Sequence, residues 1–577
     1  MERPRRESRD LVAVVSLVLP LLPLDCRARA ACVCRAWRIA AADPQAWAAL
    51  DLESCVGRVD DAALAALCTR AGAALRTLRL DGGNSSTDAG THSHVAQRVN
   101  GEELLSALRA GKCSSLRRIA WPELHLSVTQ ARLLASTCPL LEHTACAVNV
   151  VGVAKAADLL GQGTFLPGPL RLNVHGQGLG GPSSDGDEMH RLLHRSVGEL
   201  WLTGGMLSRA GAAALGAALR DNATLTSLNL YDTVLGAAGL NVLGEALRVN
   251  ATLTSLRLSG TGFGAEGEAA LGEALRVNAT LTALHLGDNA IGVAGAAALC
   301  EALKVNSTLT ELSFSRVHAA NMAALREVLL VNTTLTSLCL SSTFPYLHFD
   351  IASEGAAMLS YALTVNTTLT TLIVVGNVFR NVGASMLGNA LRVNSALTSL
   401  SLSDNNFGAE GVVALGEALK VNVTLRSLEF DCNPVSDAGA AALGEGLRVN
   451  STLESLSLCR CNIGAEGVVA LGEALKVNAT LTSLRLSGNG FGSAGAVALV
   501  DALRVNTTLT SLHLDKNSIG VAGVAALREA LPLSTTLQGL SDNDSYHDDS
   551  DAGSDSDASD TSDASDISGS SDTSEDS

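Results

Sequence analysis

Aromatic side chains are scarce in this sequence: Phe, Trp and Tyr make up 3% of its 577 residues. An apolar fraction of 47% must then be packed mostly from small and aliphatic side chains. Long apolar runs are missing too. The longest, Leu11 to Leu24, has fourteen residues and contains Ser16, Pro20 and Pro23. A bilayer-spanning helix needs about 20, so no membrane span is expected. Basic residues are the minority, 41 against 58 acidic, and form no stripe. A nucleic-acid surface built on phosphate contacts is thereby excluded.

Motifs that carry chemistry are absent or incomplete. The thirteen cysteines include no C-x-x-C pair, and Cys32/Cys34 and Cys459/Cys461 lack a second zinc half-site. They read as free thiols in a reducing compartment. His190 and His194 lie four apart but without an H-E-x-x-H pattern, and no G-x-x-x-x-G-K-[ST] loop occurs. No nucleophile–base constellation stands out. No metal, no cofactor and no catalytic residue are expected.

What is abundant is acid, but only at one end. Of the formal charge of −17, the residues from Ser541 to Ser577 carry −13, from twelve Asp and one Glu with no Lys or Arg. The other 540 residues are nearly balanced, 41 basic to 45 acidic. Residues 541–577 hold too little apolar surface to offset ordering entropy and are expected to be disordered. Ser545, Ser554 and Thr573 each have an acid three residues on, the spacing an acidophilic kinase reads; otherwise the segment solubilises.

From about residue 222 the chain repeats itself. One unit reads NATLTSLRLSGNGFGSAGAVALVDALRVN, from Asn478 to Asn506. Its landmark Leu recurs at 225, 253, 281, 309, 335, 369, 397, 425, 453, 481, 509 and 537, and nine of the eleven spacings are 28. The exceptions are 26, before Leu335, and 34, before Leu369. Within a unit, Leu484 and Leu486 alternate as in a half-buried strand, and Ala498, Leu499, Ala502 and Leu503 have helical spacing. Except at Val317, a turn position between them is filled by Asn289, Asn377, Asn405, Asn433, Asn489 or Asn517, and by Cys461 or Thr elsewhere. These residues can satisfy buried backbone groups. Eight helices carry Arg or Lys in the last turn, and an Asn closes each helix, a residue that tolerates a left-handed cap. Acids three residues before the cations, such as Glu301 before Lys304, have salt-bridge spacing.

The repeat also explains two apparent motifs. Ten N-x-[ST] triplets recur at one helix-to-strand junction, and the G-x-G-x-x-G matches at Gly262 and Gly490 occupy equivalent turns. Both read as structural.

These units resemble leucine-rich repeats of the ribonuclease-inhibitor type. The resemblance implies an α/β solenoid with parallel strands on the concave face and helices on the convex face. Weaker copies, at Leu75–Leu80, Leu116–Ile119, Leu170–Val174 and Glu199–Leu202, extend it N-terminally. Cys138-Pro-Leu-Leu-Glu142 looks like the opening of a cysteine-containing repeat. The expected organisation is a helical module over 1–56, degenerate repeats and loops over 57–200, regular repeats over 201–540 and the acidic tail over 541–577. Gly176–Asp187 reads as a flexible insertion.

The frame barely changes between units, but the outward strand residues do. Their charged and aromatic members are the candidate partner-binding residues: Tyr231, Arg257, His285, Glu429, Asp431, Arg485, His513 and Asp515. The long unit adds Phe344 and Tyr346, within an aromatic insertion that either anchors a partner or plugs the irregular join.

Arg3, Arg5, Arg6 and the following apolar run fit a secretory signal with a cleavage site at Ala28-Arg-Ala30. The apolar pattern, with Trp37 and Trp47, instead continues through that site as a helical module. Over about residues 8–52 it resembles an F-box, through Leu24-Asp25, Val33-Cys-Arg-Ala-Trp-Arg38, Asp43-Pro44, Trp47 and Leu50-Asp-Leu52. The opening Leu-Pro of that family is absent, and Pro20 and Pro23 interrupt the first helical stretch. The resemblance implies docking to an Skp1-like adaptor through Leu17, Leu22, Leu24, Val33, Cys34 and Trp37. It further implies a cullin–RING ubiquitin ligase whose protein substrate sits on the repeats, with no catalysis in this chain, in the cytoplasm or nucleus. Two other readings stay open: a Ran-type GTPase-activating protein, which also pairs such repeats with an acidic segment, and a plain binding scaffold.

Overall fold

The structure is a computed structural model. It describes residues 49–51, 61–79, 101–141, 143–151, 170–175, 197–262, 264–289, 291–315, 319–341, 352–530 and 536–538. Outside these lie Leu17, Leu22, Leu24, Val33, Cys34 and Trp37, the insertion with Phe344 and Tyr346, Gly176–Asp187, His190, His194 and residues 541–577.

Each unit opens on a short strand with a buried central Leu, set between two half-exposed neighbours in Ser255–Arg257. Period two puts the Leu on the core side and its neighbours on the other. The described strands form one eighteen-stranded sheet and a separate two-stranded pair. Pairing is parallel and equivalent residues face each other: Leu228, Leu256, Leu284 and Leu312 align across successive strands. The irregular units keep this register, with Leu312 opposite Leu338 and Leu338 opposite Leu372. Their missing or added residues are therefore absorbed outside the strands. Parallel strands need a crossover, and helices such as Ala265–Leu275 and Val293–Leu303 supply it. The fold is a leucine-rich-repeat solenoid. Strands stack about 4.8 Å apart whereas helices pack 8–10 Å apart, so the sheet takes the inner, concave side.

The weaker N-terminal copies join the same sheet as Thr77–Arg79, Arg118–Ser127, Leu170–His175 and Val197–Thr203. Two further strands, Ala49–Asp51 and His143–Val151, extend it, the second directly after the sequence Cys138–Glu142 that reads as the opening of a cysteine-containing repeat. The first of them lies within the last residues of the F-box-like segment. In this part a thiol stack replaces asparagine: Cys113 Sγ donates to the Cys68 carbonyl and Cys138 Sγ to the Cys113 carbonyl, each at 3.5 Å.

The core repeats like the sequence. Leu253, Leu256, Leu258, Leu271 and Leu275 of one unit are at most 1% exposed. Neighbouring helices approach closely at a recurrent glycine: a Cβ on Gly416 would stand 2.5 Å from the carbonyl oxygen of Ala442 in the next helix.

Two asparagine ladders run along the solenoid. In the turn ladder, Asn433 Nδ2 donates to the carbonyls of Leu402 and Phe430 at 2.9 and 2.7 Å. Its Oδ1 accepts from the amides of Asn405 and Phe407 in the preceding unit, at 2.9 and 3.0 Å. In the junction ladder, Asn278 Nδ2 donates to Leu247 O at 2.7 Å, and its Oδ1 accepts from Thr280 N and Leu281 N at 3.1 and 2.8 Å. This corrects the expected left-handed cap. Asn450 is extended, with φ −67° and ψ 131°, because its side chain turns the chain by accepting the following amides. Positive φ falls instead on the residue before each turn-ladder position, as at Asp288 (57°), Arg460 (55°) and Lys516 (57°). The sequon asparagines are consumed in the junction ladder: Asn478 is 5% exposed, which leaves no amide for a glycan.

The expected acid–cation pairs form at the lysines: Glu301–Lys304 at 2.7 Å, Glu417–Lys420 and Glu473–Lys476 at 2.5 Å. Glu245 instead reaches Arg220 of the preceding unit at 2.6 Å. All are exposed and contribute little to stability.

Three helix N-termini that begin after a glycine, at Gly292, Gly408 and Gly464, are capped from the preceding unit. Asn381 Oδ1 accepts from Gly408 N at 2.8 Å, and Asp437 Oδ1 from Gly464 N at 2.6 Å. Glu268 does the same for Gly292 at 3.2 Å, but it is 2% exposed and its Oε2 has no partner. Burial raises its pKa above the usual carboxylate range.

Two outcomes follow. Asn433→Ala strands buried groups in two units, so it should lower unfolding free energy by about 3 kcal/mol, read as a denaturation midpoint. Val423→Ala, at a 72% exposed site, should change it by less than about 0.5 kcal/mol. Glu268→Gln keeps the acceptor for Gly292 and removes the buried charge. A carboxyl with a raised folded pKa destabilises only where it must ionise, so the substitution should raise the melting temperature at pH 8. The gain should vanish as pH falls toward the carboxylate range.

The candidate binding face

The open face of the sheet is built from the residues on either side of each buried strand Leu. Parallel register brings the varied positions into one continuous row. Trp201 faces Asn229, then come Arg257 and His285. Cys339 and Ile373 follow across the irregular units, and Glu429, Ser457, Arg485 and His513 close the row. Residues spread over 300 positions of sequence thus share one surface.

Chemistry along this face is segregated. The N-terminal stretch combines Trp201, the 47% exposed Tyr231, Arg257 and His285. Asn229 holds the Tyr231 amide through its Oδ1 at 2.9 Å. His285 Nε2 lies 3.8 Å from Glu311 Oε1. Burial, and then the nearby Arg257 charge, lower the His285 pKa to about 4, so at neutral pH this contact is no ion pair. Burial also lowers the Arg257 pKa, with Glu311 acting in the opposite sense. The middle is small and uncharged, with Cys339, Ile373, Val375 and serines half-buried or buried.

The C-terminal stretch is charged again. Asp431 Oδ1 accepts from Ser457 Oγ at 2.6 Å and from Cys459 N at 2.8 Å, so the next unit fixes it. Asp515 Oδ2 accepts from Ser487 Oγ at 3.2 Å. Arg485 is exposed, and Glu429 and His513 are half-buried. Tyr231, Arg257, His285, Glu429, Asp431, Arg485, His513 and Asp515 therefore all lie on the described face.

Not every varied position reaches solvent. Asn229, Ser259, Ser315, Ser401 and Ser457 are buried at 8% exposure or less, because curvature crowds short side chains beneath their neighbours. Reading the varied positions alone missed Trp201, Glu311, Arg460 and Lys516. Glu311 had a signal, since Ser, Ala or Thr fills its slot in the other regular units. Arg460 and Lys516 precede the turn-ladder residue, a position shared with glycines.

No group of three or more His, Cys, Asp and Glu that could hold a metal occurs among the described residues. Burial pushes the Cys138 and Cys300 thiols up to about 12, where little thiolate exists at neutral pH. No helix among the described residues is long and apolar enough to cross a membrane.

The depressed His285 pKa fixes a pH dependence. Between pH 6.5 and about 4 the unfolded chain binds a proton at His285 that the folded chain does not. Stability therefore falls as pH drops through this window, by on the order of 2 kcal/mol from this group. His285→Gln should flatten that part of a stability-versus-pH curve, and an unchanged slope would show that His285 titrates normally.

Eight segments of the chain, residues 249–272, 277–300, 365–388, 393–416, 421–444, 449–472, 477–500 and 505–527, match a family model described as Leucine Rich repeat. The matches leave out residues 8–52 and the two irregular units. Among solved structures, the chain is similar to one in the yeast Rad7–Elc1 complex, at 20% identity and a TM-score of 0.41, covering 61% of this chain and 84% of that one. It is also similar to the actin-binding site 2 of leiomodin-1, at 20% identity and a TM-score of 0.19, over 26% of this chain and 70% of that one. No curated protein matches the chain. The repeats make it a protein-interaction scaffold.

Proposed function

We propose that this chain is the substrate-recognition subunit of an Skp1–cullin-type ubiquitin ligase, acting in the cytoplasm or nucleus. The observation that carries the reading is an order of parts. The F-box-like pattern from Val33 to Trp47 runs directly into the solenoid, whose first strand is Ala49–Asp51. A module of that kind needs a rigid attachment to the surface that holds the substrate, and the last residues of the F-box-like pattern, Ala49–Asp51, are themselves a strand of the sheet.

In this reading Leu17, Leu22, Leu24, Val33, Cys34 and Trp37 pack on the adaptor. The substrate lies along the open face, between the aromatic stretch at Trp201–His285 and the charged stretch at Glu429–Asp515. The uncharged middle admits an apolar segment without desolvating charge. Phe344 and Tyr346 add contacts at the rim. The chain positions substrate, and the partners perform the transfer chemistry.

Affinity purification of the full chain with mass spectrometry tests this. An Skp1-like protein and a cullin should co-purify, and Leu24→Ala with Trp37→Ala should remove both without altering thermal unfolding. Purification without any adaptor would sink the reading. In that case, accelerated GTP hydrolysis by a Ran-like GTPase would identify the GTPase-activating alternative, and its absence would leave a plain scaffold.

A further inference from the structure

At the C-terminal end of the open face three cations stand out. Arg460, Arg485 and Lys516 are exposed. Some other cations of the solenoid are paired within 4 Å, namely Lys304, Lys420, Lys476, Arg220, Arg326 and Arg426. Among the described residues Arg460, Arg485 and Lys516 form no such ion pair. Asp515, the acid nearest in sequence, is held by the Ser487 hydroxyl.

Sheet topology puts the cations together. Strands Ser455–Ser457, Ser483–Arg485 and Ser511–His513 are successive neighbours. Arg460 and Lys516 sit three residues past Ser457 and His513, in equivalent turns at the strands' C-terminal edge. The last strand, Thr536–Gln538, continues the same parallel register, with Gln538 opposite His513. The last described strand thus ends at the edge that carries Lys516, and in sequence Ser541 follows Gln538 by three residues. There the acidic run begins, with Asp542, Asp544, Asp548 and Asp549 in its first nine residues.

We propose that the acidic residues following Ser541 dock on the cationic edge formed by Lys516, Arg485 and Arg460, as an intramolecular occupant of the C-terminal part of the open face. The distance allows it. Three strand spacings, about 14 Å, separate the last strand from the one before Arg460, and about five extended residues span that. The tether holds the acids at an effective concentration in the millimolar range, so weak individual charge contacts suffice. A segment with −13 and no cation complements this edge and is repelled by Glu429 and Asp431, which stops it from running further. The docking itself is independent of the proposed function. Its consequence rests on that reading: a substrate bound near Arg485 and His513 must displace the acidic segment, so an acidic substrate segment competes on equal terms and a basic one does not.

Carbodiimide cross-linking of the full chain without any partner, followed by mass spectrometry, tests the docking. This reagent joins a lysine directly to a carboxylate it touches. Lys516 should cross-link to acids between Asp542 and Asp557. The tether alone brings some of them close, so the deciding variant is Arg460→Glu with Arg485→Glu, which leaves Lys516 and the tether intact. Its yield, relative to the Glu473–Lys476 cross-link, should fall about fivefold. Raising salt from about 0.05 to 0.5 M should lower the wild-type yield similarly, a readout that needs no variant to fold. Yields unchanged in both arms would overturn the proposal.

Discussion

The structure depends on hydrogen bonds from asparagine side chains to the backbone of neighbouring units. A solenoid buries a turn between each strand and helix, and the amides and carbonyls of that turn have no strand or helix partner. Asn carries one acceptor and two donors on a short stem. Asn433 uses them to tie its own turn to the preceding one. Asn278 and its equivalents do the same at the helix-to-strand junction. Because each Asn bonds both within its own unit and to the preceding one, the ladders set the stacking as well as the turn.

The scarcity of aromatics follows from this frame. With the turns satisfied by Asn, the space between sheet and helices is thin and uniform, and Leu with Ala fills it. Gly416 and its counterparts let adjacent helices approach until backbone meets backbone. A larger residue at such a site has nowhere to go. The few large side chains fully buried, Phe379, Phe407 and Phe430, lie in neighbouring units toward the C-terminal half.

A frame that is fixed by backbone-directed bonds leaves the open face free to vary. Side chains there need satisfy only solvent and one another, and they do so across unit boundaries, as Asp431 with Ser457 and Glu311 with His285. The result is a face with aromatic, uncharged and charged stretches in order. Where the frame itself is perturbed, in the 26- and 34-residue units, the strands stay in register. There a cavity of about 10 Å³ opens among Ile291, Cys300, Phe314 and Asn321, and Asn321 Oδ1 is left without a partner.

The sequence by itself determined the repeat, the strand and helix of each unit, the core leucines and which strand residues would share the open face. These depend on period and spacing, which are local and recur in every unit. It misjudged the junction Asn as a left-handed cap, since the same residue serves both geometries and only the bonds its side chain makes, to the following amides and to the preceding unit, distinguish them. It could not show that Asn229 and Ser457 are covered, that His285 is neutral or that Arg460, Arg485 and Lys516 gather at one edge. Exposure, desolvation and charge proximity arise between residues 28 apart in the chain and one strand apart in space, and only stacking brings those together.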